Sequence, residues 1–313
     1  MSTLAVTKGH GTGNDFVLVD DRAGVLDLPA GLVGALCDRH IGIGGDGLIR
    51  LVGSALLPEG AACLAQDPAA RWFMDYRNGD GSIAEMCGNG VRVLARFAER
   101  LGLWDDASAE LVLGTRAGVR RVRRVLGPAG EDWYSVDMGP WHLTGGEAAE
   151  RAGADALVAV DGLVDVRPGL RVDVGNPHTV IALADPAELD SAELWRAPRV
   201  EPAPPAGTNV ELVVPLGEEL TPDGEVGRLR MRVHERGVGE TRSCGTGACA
   251  AAMAVRTWAG PGAPATWLVE VPGGTLRVRV IDGGRVELAG PAVLVASVEV
   301  DLDALGGGVL RPA

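Results

Sequence analysis

The chain has 313 residues, about twice the usual length of one domain, so two domains and a sizeable core are expected. A formal charge of −13 excludes a broad basic surface for nucleic acid or an anionic membrane. The opening MSTLAVTKGHGTGND turns polar too early for a secretory core, and no apolar run approaches the roughly 18 residues of a spanning helix, so a cytoplasmic location is expected.

Glycine is in excess at 46 residues, roughly double the usual share of about 7%. Many tight turns, and a small polar ligand approached by main chain, are the reading. Five cysteines, at 37, 63, 87, 244 and 249, make an odd and scattered set, which argues against a disulfide scaffold. Lys8 is the only lysine, so any lysine chemistry must use it.

In chain order, β-rich apolar runs predict strands at Phe16–Val19 and Trp72–Tyr76, with a helix between them over Pro29–Arg39 and Pro29 in its first turn. Val91, Leu94, Phe97, Ala98 and Leu101 recur at helical spacing and Gly102 stops the run. Gly127–Glu131 is a candidate domain boundary. Further strands are expected at Arg171–Val174 and Thr179–Leu183, then at Leu229–Val233, where apolar and basic residues alternate. Pro186–Gly207 and Leu216–Gly227 look like loops. Ala248 to Trp258 is apolar nearly all round, which predicts a wholly buried helix. Val269–Val280, interrupted by Pro272-Gly273-Gly274, reads as a hairpin.

The two helix-like runs follow one motif: Cys87-Gly88-Asn89-Gly90 and Cys244-Gly245-Thr246-Gly247, half the chain apart. A fainter echo pairs Gly13-Asn14-Asp15 with Gly175-Asn176-Pro177 at nearly the same interval, so duplicated halves are expected, each of strands around one buried helix. A cysteine at a helix N-terminus meets unpaired N–H groups and the positive dipole end, which can lower its pKa from about 8.5 to between roughly 3.5 and 7.5. The glycines let the backbone turn tightly and cradle a carboxylate, as in anion-binding nests. With the motifs opposed, a thiolate could remove the α-proton of a carbon acid while the opposite thiol protonates the other face, as in a two-base racemase or epimerase. Backbone N–H groups at Gly88-Asn89 and Gly245-Thr246 would then stabilise the developing charge. Against this stand a buried apolar cysteine, the common fate of one alone, a structural disulfide, and a zinc site, which lacks the spacing and the histidines. Cys37, Cys63 and Cys249 have no such frame.

The chain resembles the diaminopimelate epimerases. The likeness runs through Gly9–Phe16, Arg77–Ser82, Glu85–Arg92, Gly175–His178, Gly207–Glu211, Glu235–Thr241 and Cys244–Gly247. It implies an α+β fold of two pseudo-symmetric domains, each a curved mixed or antiparallel β-sheet wrapped around a central helix, with residues 1–130 joined by 298–313 as one half and 131–297 as the other. It implies a cofactor-independent isomerase that interconverts LL- and meso-2,6-diaminopimelate in lysine and cell-wall precursor synthesis, with no metal. By the family pattern Cys244 accepts the proton of the LL-isomer and Cys87 donates one, and the roles exchange in reverse. Asn14, Asn78, Gly88, Asn89, Asn176, Asn209, Glu235, Arg236, Gly245 and Thr246 would hold the substrate, and His178 and Glu235 would tune the thiols. Two departures stand out. Gly47 replaces a frequent glutamine after Asp46, and Ala296 stands where some members carry a tyrosine at a dimer interface, which leaves the expected homodimer less supported.

The nearest alternative is a proline or hydroxyproline racemase-like isomerase of the same fold, which tends to carry histidine where Asn89 stands and lacks the Glu235-Arg236 pair. A pyridoxal-phosphate racemase would have to use Lys8. A non-enzymatic amino-acid-binding protein would need neither thiol.

Overall fold

Val6, Phe16, Val17, Leu18 and Val19 are all buried on two adjacent strands, and this apolar ribbon starts the architecture. The computed structural model describes residues 3–105, 107–222 and 224–305; residues 306–313, part of the segment expected to rejoin the first half, lie outside them. The chain divides into one unit of residues 1–136 with 291–313 and a second of 137–290. No helix among the described residues is long and apolar enough to cross a membrane.

The first unit runs β1 (Thr3–Gly11), β2 (Asn14–Asp21), α1 (Ala30–Cys37), β3 (Gly47–Gly53), α2 (Pro58–Gln66), β4 (Trp72–Asn78), α3 (Gly88–Arg100), β5 (Leu111–Thr115), β6 (Gly118–Leu126) and the first part of β7 (Asp132–Pro140). The second contains β8 (His142–Leu143), α4 (Gly146–Ala152), β9 (Ala156–Ala159), β10 (Arg167–Asp173), β11 (Pro177–Ala182), α5 (Pro186–Ser191), β12 (Arg199–Glu201) and β13 (Asn209–Thr221). It continues through β14 (Gly224–Glu235), β15 (Gly239–Thr241), α6 (Gly245–Ala259), β16 (Thr266–Val271), β17 (Gly274–Ile281) and β18 (Arg285–Gly290). The chain then returns to the first unit with β19 (Val293–Asp301), antiparallel to β1, and the short α7 (Leu302–Leu305).

The ladders display the duplication that the two motifs suggest. From β1 to β7 neighbouring strands pair antiparallel, parallel, antiparallel, parallel, antiparallel and antiparallel. Along β10, β11, β13, β14, β16, β17 and β18 the same order of directions recurs. The helices fall in matching places: α1 and α5 after the second strand, α3 and α6 after the fourth. In the first unit α3 packs against β19, β1, β2, β3 and β6, so the sheet curls around it; α6 is enclosed likewise by β10, β11, β13, β14, β16, β17 and β18.

This enclosure explains the burial patterns. Every residue of α3 from Gly88 to Ala95 is buried, and only Arg96 and Arg100 are exposed. α6 is apolar all round because strands meet it on most sides, but it emerges at its end, where Arg256 to Trp258 are half-buried and Ala259 is exposed. It is therefore not wholly buried as expected. Three other expectations are corrected. Pro29 precedes α1 as its cap, at φ −64° and ψ 154°, and its carbonyl receives the N–H groups of Leu32 and Val33. Pro186–Gly207 contains α5, opened by the Asp185 side chain accepting from the Glu188 N–H, and β12. Residues 216–221 and 224–227 lie in the paired arms of β13 and β14, solvated on the β13 side from Pro215 to Leu220, so that no period-two alternation betrays them.

Because Leu94 is fully buried in the encircled face of α3, Leu94→Ala should cost about 2–5 kcal/mol through lost transfer energy and a residual cavity. Urea unfolding should show a lower midpoint at an unchanged slope.

Candidate active site

Both motif cysteines are helix N-caps. Cys87 is extended at φ −136° and ψ 121°, and its sulfur accepts the Gly90 N–H at 3.5 Å at the start of α3. Cys244, at φ −117° and ψ 119°, accepts the Gly247 N–H at 3.3 Å at the start of α6. Sulfur thus takes the place usually held by a Ser or Asp oxygen, and the donated N–H and the helix dipole favour the thiolate. The third helical residue must then be small. A Cβ on Gly90 would stand 2.8 Å from Met74 Cε and 3.4 Å from Cys87 Cβ; one on Gly247 would stand 2.7 Å from Glu211 Oε1 and 3.3 Å from the Cys244 sulfur. Neither glycine has a left-handed φ. Space selects them, which corrects the expectation of a tight glycine turn.

In the first unit β1 and β2 are joined by Thr12 and Gly13, at φ 51° and 81°, a two-residue turn with both centres left-handed. Thr12 is β-branched and buried, so its conformation is strained and is held from outside; the Arg92 guanidinium reaches its hydroxyl at 3.4 Å. The turn delivers Asn14. Its Oδ1 accepts from the Cys87 thiol at 3.5 Å and from Asn89 Nδ2 at 3.2 Å, and its Nδ2 donates to Asp46 at 2.6 Å. A carboxylate can only accept when ionised, so Asp46 fixes which way the Asn14 amide faces. Asp46 in turn receives Arg39 at 2.7 Å and the Asp15 N–H at 3.1 Å. Arg39 also forks onto Asp15 at 3.0 and 2.8 Å, and the Lys8 ammonium bonds Asp15 and the Gly44 carbonyl. Burial opposes ionisation of Asp15, yet Arg39 and Lys8 hold its carboxyl well below the usual range. Asp46 is pushed up, chiefly by burial.

Asn89 is buried, with Oδ1 held by Arg92 at 2.8 Å, and the Gly88 carbonyl receives the same guanidinium at 3.3 Å. Asn78 lies at the same sheet end, since Phe16 pairs with Gly47 and Gly47 with Asn78, but its amide donates to Ser82 Oγ at 3.0 Å. A Cβ at position 47 would lie 2.4 Å from the Arg77 carbonyl oxygen and 2.7 Å from the Tyr76 ring, so this backbone path admits no side chain there.

In the second unit His178 Nε2 faces Asn176 Oδ1 at 3.0 Å, and Nδ1 faces Glu211 Oε1 at 2.7 Å, with Asn209 Nδ2 at 3.5 Å. Asn209 Oδ1 accepts the Arg236 N–H at 2.8 Å, and the Arg236 guanidinium donates to the Ala206 carbonyl at 2.5 Å. Thr241 donates to Glu235, and the Thr246 hydroxyl lies 3.5 Å from the Cys244 sulfur, one residue beyond Gly245 at the head of α6. Burial, then the charges of Glu235 and Glu211, push the Cys244 thiol well above its ordinary range against the opposing bonds from Thr246 and Gly247. Burial also raises Glu235, opposed by bonds from Thr241 and Cys244. Glu211 was not singled out from the sequence. Its signal was a single acid within the otherwise apolar run Val210–Val214, which the structure buries throughout.

All five cysteines are free thiols. Among the described residues no three His, Cys, Asp or Glu side chains converge as metal ligands. The unit containing Cys87 and the unit containing Cys244 therefore each present a capped sulfur, asparagine amides and the first turn of a helix. The raised Cys244 thiol has a small thiolate fraction at neutral pH, and the thiolate is the nucleophile. Iodoacetamide should therefore label the Cys244 peptide at least about tenfold more slowly than free cysteine at pH 8, with the rate still climbing above pH 9. A plateau below pH 8 would contradict the assigned electrostatics.

The family model described as diaminopimelate epimerase matches residues 6–143 and 170–295. The diaminopimelate epimerase of Streptomyces coelicolor is 46% identical over 310 residues, covering 96% of this chain and 97% of that protein. That of Thermobifida fusca is 47% identical over 308 residues, covering 96% and 100%. Among solved structures, a Bacillus anthracis phenazine biosynthesis protein of the PhzF family superposes with a TM-score of 0.63 at 16% identity, over 96% of this chain and 99% of that one. A hydroxyproline epimerase from Agrobacterium vitis, with bound trans-4-hydroxy-L-proline, gives 0.60 at 17%, over 99% and 95%. At such identities these two share the fold.

Proposed function

The chain belongs to the diaminopimelate epimerase family, and from that premise we propose that Cys87 and Cys244 are the acid and base of its reaction. The enzyme is an isomerase that interconverts LL- and meso-2,6-diaminopimelate, a step of lysine and cell-wall precursor synthesis. The observation that carries the assignment of the two thiols is their shared role: each caps a buried helix through its sulfur.

In the direction from the LL-isomer, the Cys244 thiolate takes the α-proton, forming its S–H bond as the C–H bond breaks. The electron pair left on carbon is delocalised toward the α-carboxylate, and the Cys87 thiol returns a proton to the opposite face. The sulfurs finish with exchanged protonation, ready for the reverse reaction. The third N–H of each helix is engaged by its sulfur, and the first-turn N–H groups at Gly88-Asn89 and Gly245-Thr246 would stabilise the carboxylate. Arg236 can fork onto a carboxylate and Glu235 can pair an ammonium. An ammonium arriving beside Glu235 supplies the countercharge that burial denies it, and the same positive charge favours the thiolate of Cys244. Asn14, Asn78, Asn89, Asn176 and Asn209 supply mixed donors and acceptors around the substrate, and His178 tunes the thiols. Cytoplasmic residence and a homodimer belong to the same reading.

The hydroxyproline epimerase likeness speaks to the fold, and the Glu235-Arg236 pair favours a substrate with a second amino-acid end over proline. Incubation in deuterated water tests this. LL-diaminopimelate should gain α-deuterium and L-proline none, and Cys87→Ala or Cys244→Ala should each lower epimerisation by about 10²-fold or more, the scale of a lost acid or base. Turnover that survives either replacement would refute the two-thiol mechanism.

A further inference from the structure

The two units repeat each other closely enough to show where they differ beneath the sulfurs. Asn14 opens β2 and Asn176 immediately precedes the matching β11, and the parallel ladders align Phe16 with Gly47 in one unit and His178 with Asn209 in the other. Two residues on, Ile49 and Glu211 therefore occupy equivalent positions. The glycines give the same equivalence independently: a Cβ on Gly90 would stand 3.0 Å from Ile49 Cδ1, and one on Gly247 would stand 2.7 Å from Glu211 Oε1. Each side chain supports the first turn of the helix that its cysteine caps.

In the first unit that support is apolar, with Phe16 and Ile49 fully buried and Phe16 set edge-on to the Tyr76 ring, centroids 5.9 Å apart. In the second it is the His178–Glu211 pair, both side chains fully buried. Glu211 Oε1 bonds His178, while Oε2 has no hydrogen-bond partner among the described residues. An isoleucine serves the fold at this position, so the fold does not require the carboxylate, and a half-satisfied buried carboxylate is costly.

We propose that Glu211 is a positioning residue of the epimerase reaction: it anchors the His178 ring toward Asn176 and places one negative charge under the first turn of α6, against a thiolate at Cys244. This rests on the reading of Cys244 as an acid–base thiol. The charged groups facing that sulfur are Glu235 from the end of β14 and Glu211 from β13, with His178 on β11 behind Glu211. Glu211 opposes the thiolate that the helix terminus favours, so Cys244 is a stronger base once ionised than a helix-capping cysteine over an apolar floor. Under the first turn of α3 the equivalent position is held by Ile49. The pair thus makes the two sulfurs unequal within one repeated frame.

Glu211→Gln tests this, because it keeps the shape and the acceptor oxygen for His178 and removes the charge. Alkylation of the Cys244 peptide by iodoacetamide, followed by mass spectrometry against pH, should shift to lower pH by about one unit, or about tenfold in rate on the rising limb. KM for LL-diaminopimelate should stay within about threefold while the kcat–pH profile moves the same way. A merely structural role would leave both profiles in place, and coincident profiles in a variant that still epimerises overturn the proposal alone. Alkylation needs no substrate, so a shifted profile upholds the role of Glu211 even if diaminopimelate fails to turn over, a result that would sink the functional reading instead. Should the variant not fold, the ¹⁵N ring resonances of His178 in the native protein, assigned by comparison with His178→Gln, decide. A proton on Nδ1 is expected, and an unprotonated Nδ1 refutes the anchor.

Discussion

A sulfur atom that accepts a helix N–H sets the terms for the rest of the molecule. Cys87 and Cys244 can cap α3 and α6 only if the third helical residue leaves room, which is why glycines stand at 90 and 247. The capped first turn must also be shielded from water if a small difference in charge is to count. Each helix is accordingly enclosed by its own curled sheet, with its C-terminal end reaching the surface. A cap that would be a modest stabilising device in an ordinary protein is here the atom proposed as acid and base, set at the head of an enclosed helix.

What surrounds each cap follows from two different ways of holding a polar side chain still. In the first unit the strained Thr12–Gly13 turn projects Asn14, and a chain of charge-assisted bonds from Arg39 through Asp46 fixes its amide. In the second, His178 is fixed directly by Glu211, one strand away. Both solutions make a polar side chain's orientation depend on a neighbouring carboxylate. They differ in distance from the sulfur: Asp46 acts through an intervening amide, whereas Glu211 lies under the helix turn itself. A repeated frame with unequal floors can hold two chemically identical thiols in different states.

The two Cys-Gly-x-Gly runs, their helices and the duplicated organisation were legible in the sequence because each rests on local signals: cap residue, glycine spacing, helical periodicity. Strands with one solvated face, such as β14 with its alternating Arg230 and Arg232, were legible for the same reason. The outer arms of β13 and β14 were not, because Pro215 to Leu220 are exposed throughout and alternation needs a buried face to act upon. Nor was the Pro29 cap, since a proline suits either side of a helix start and ψ decides. At the site, the asparagines were found through their motifs, but the turning of Asn78 toward Ser82 depends on a four-residue turn that the sequence does not specify. Glu211 was not legible because burial of a carboxylate is a tertiary fact; its neighbours Val210, Leu212 and Val213 mark a core strand, and alternation puts Val213 on its face, but only the ladder shows what lies beside it.

The choice of backbone N–H groups as partners for the sulfurs has a consequence for reversibility. A lysine or arginine beside a buried thiolate would bind it so strongly that the protonated state would be lost, and a wholly apolar pocket would forbid the thiolate. A neutral amide lies between these limits. It stabilises the anion through its dipole and imposes little penalty when the sulfur is protonated, because the same N–H then meets a weak acceptor. Under the proposed two-thiol mechanism each sulfur serves as base in one direction and acid in the other. Neutral donors permit that exchange without a compensating charge moving elsewhere in the core. The carboxylates then adjust the balance rather than create it, which is why a carboxylate can replace isoleucine under one helix turn without changing the fold that both units share.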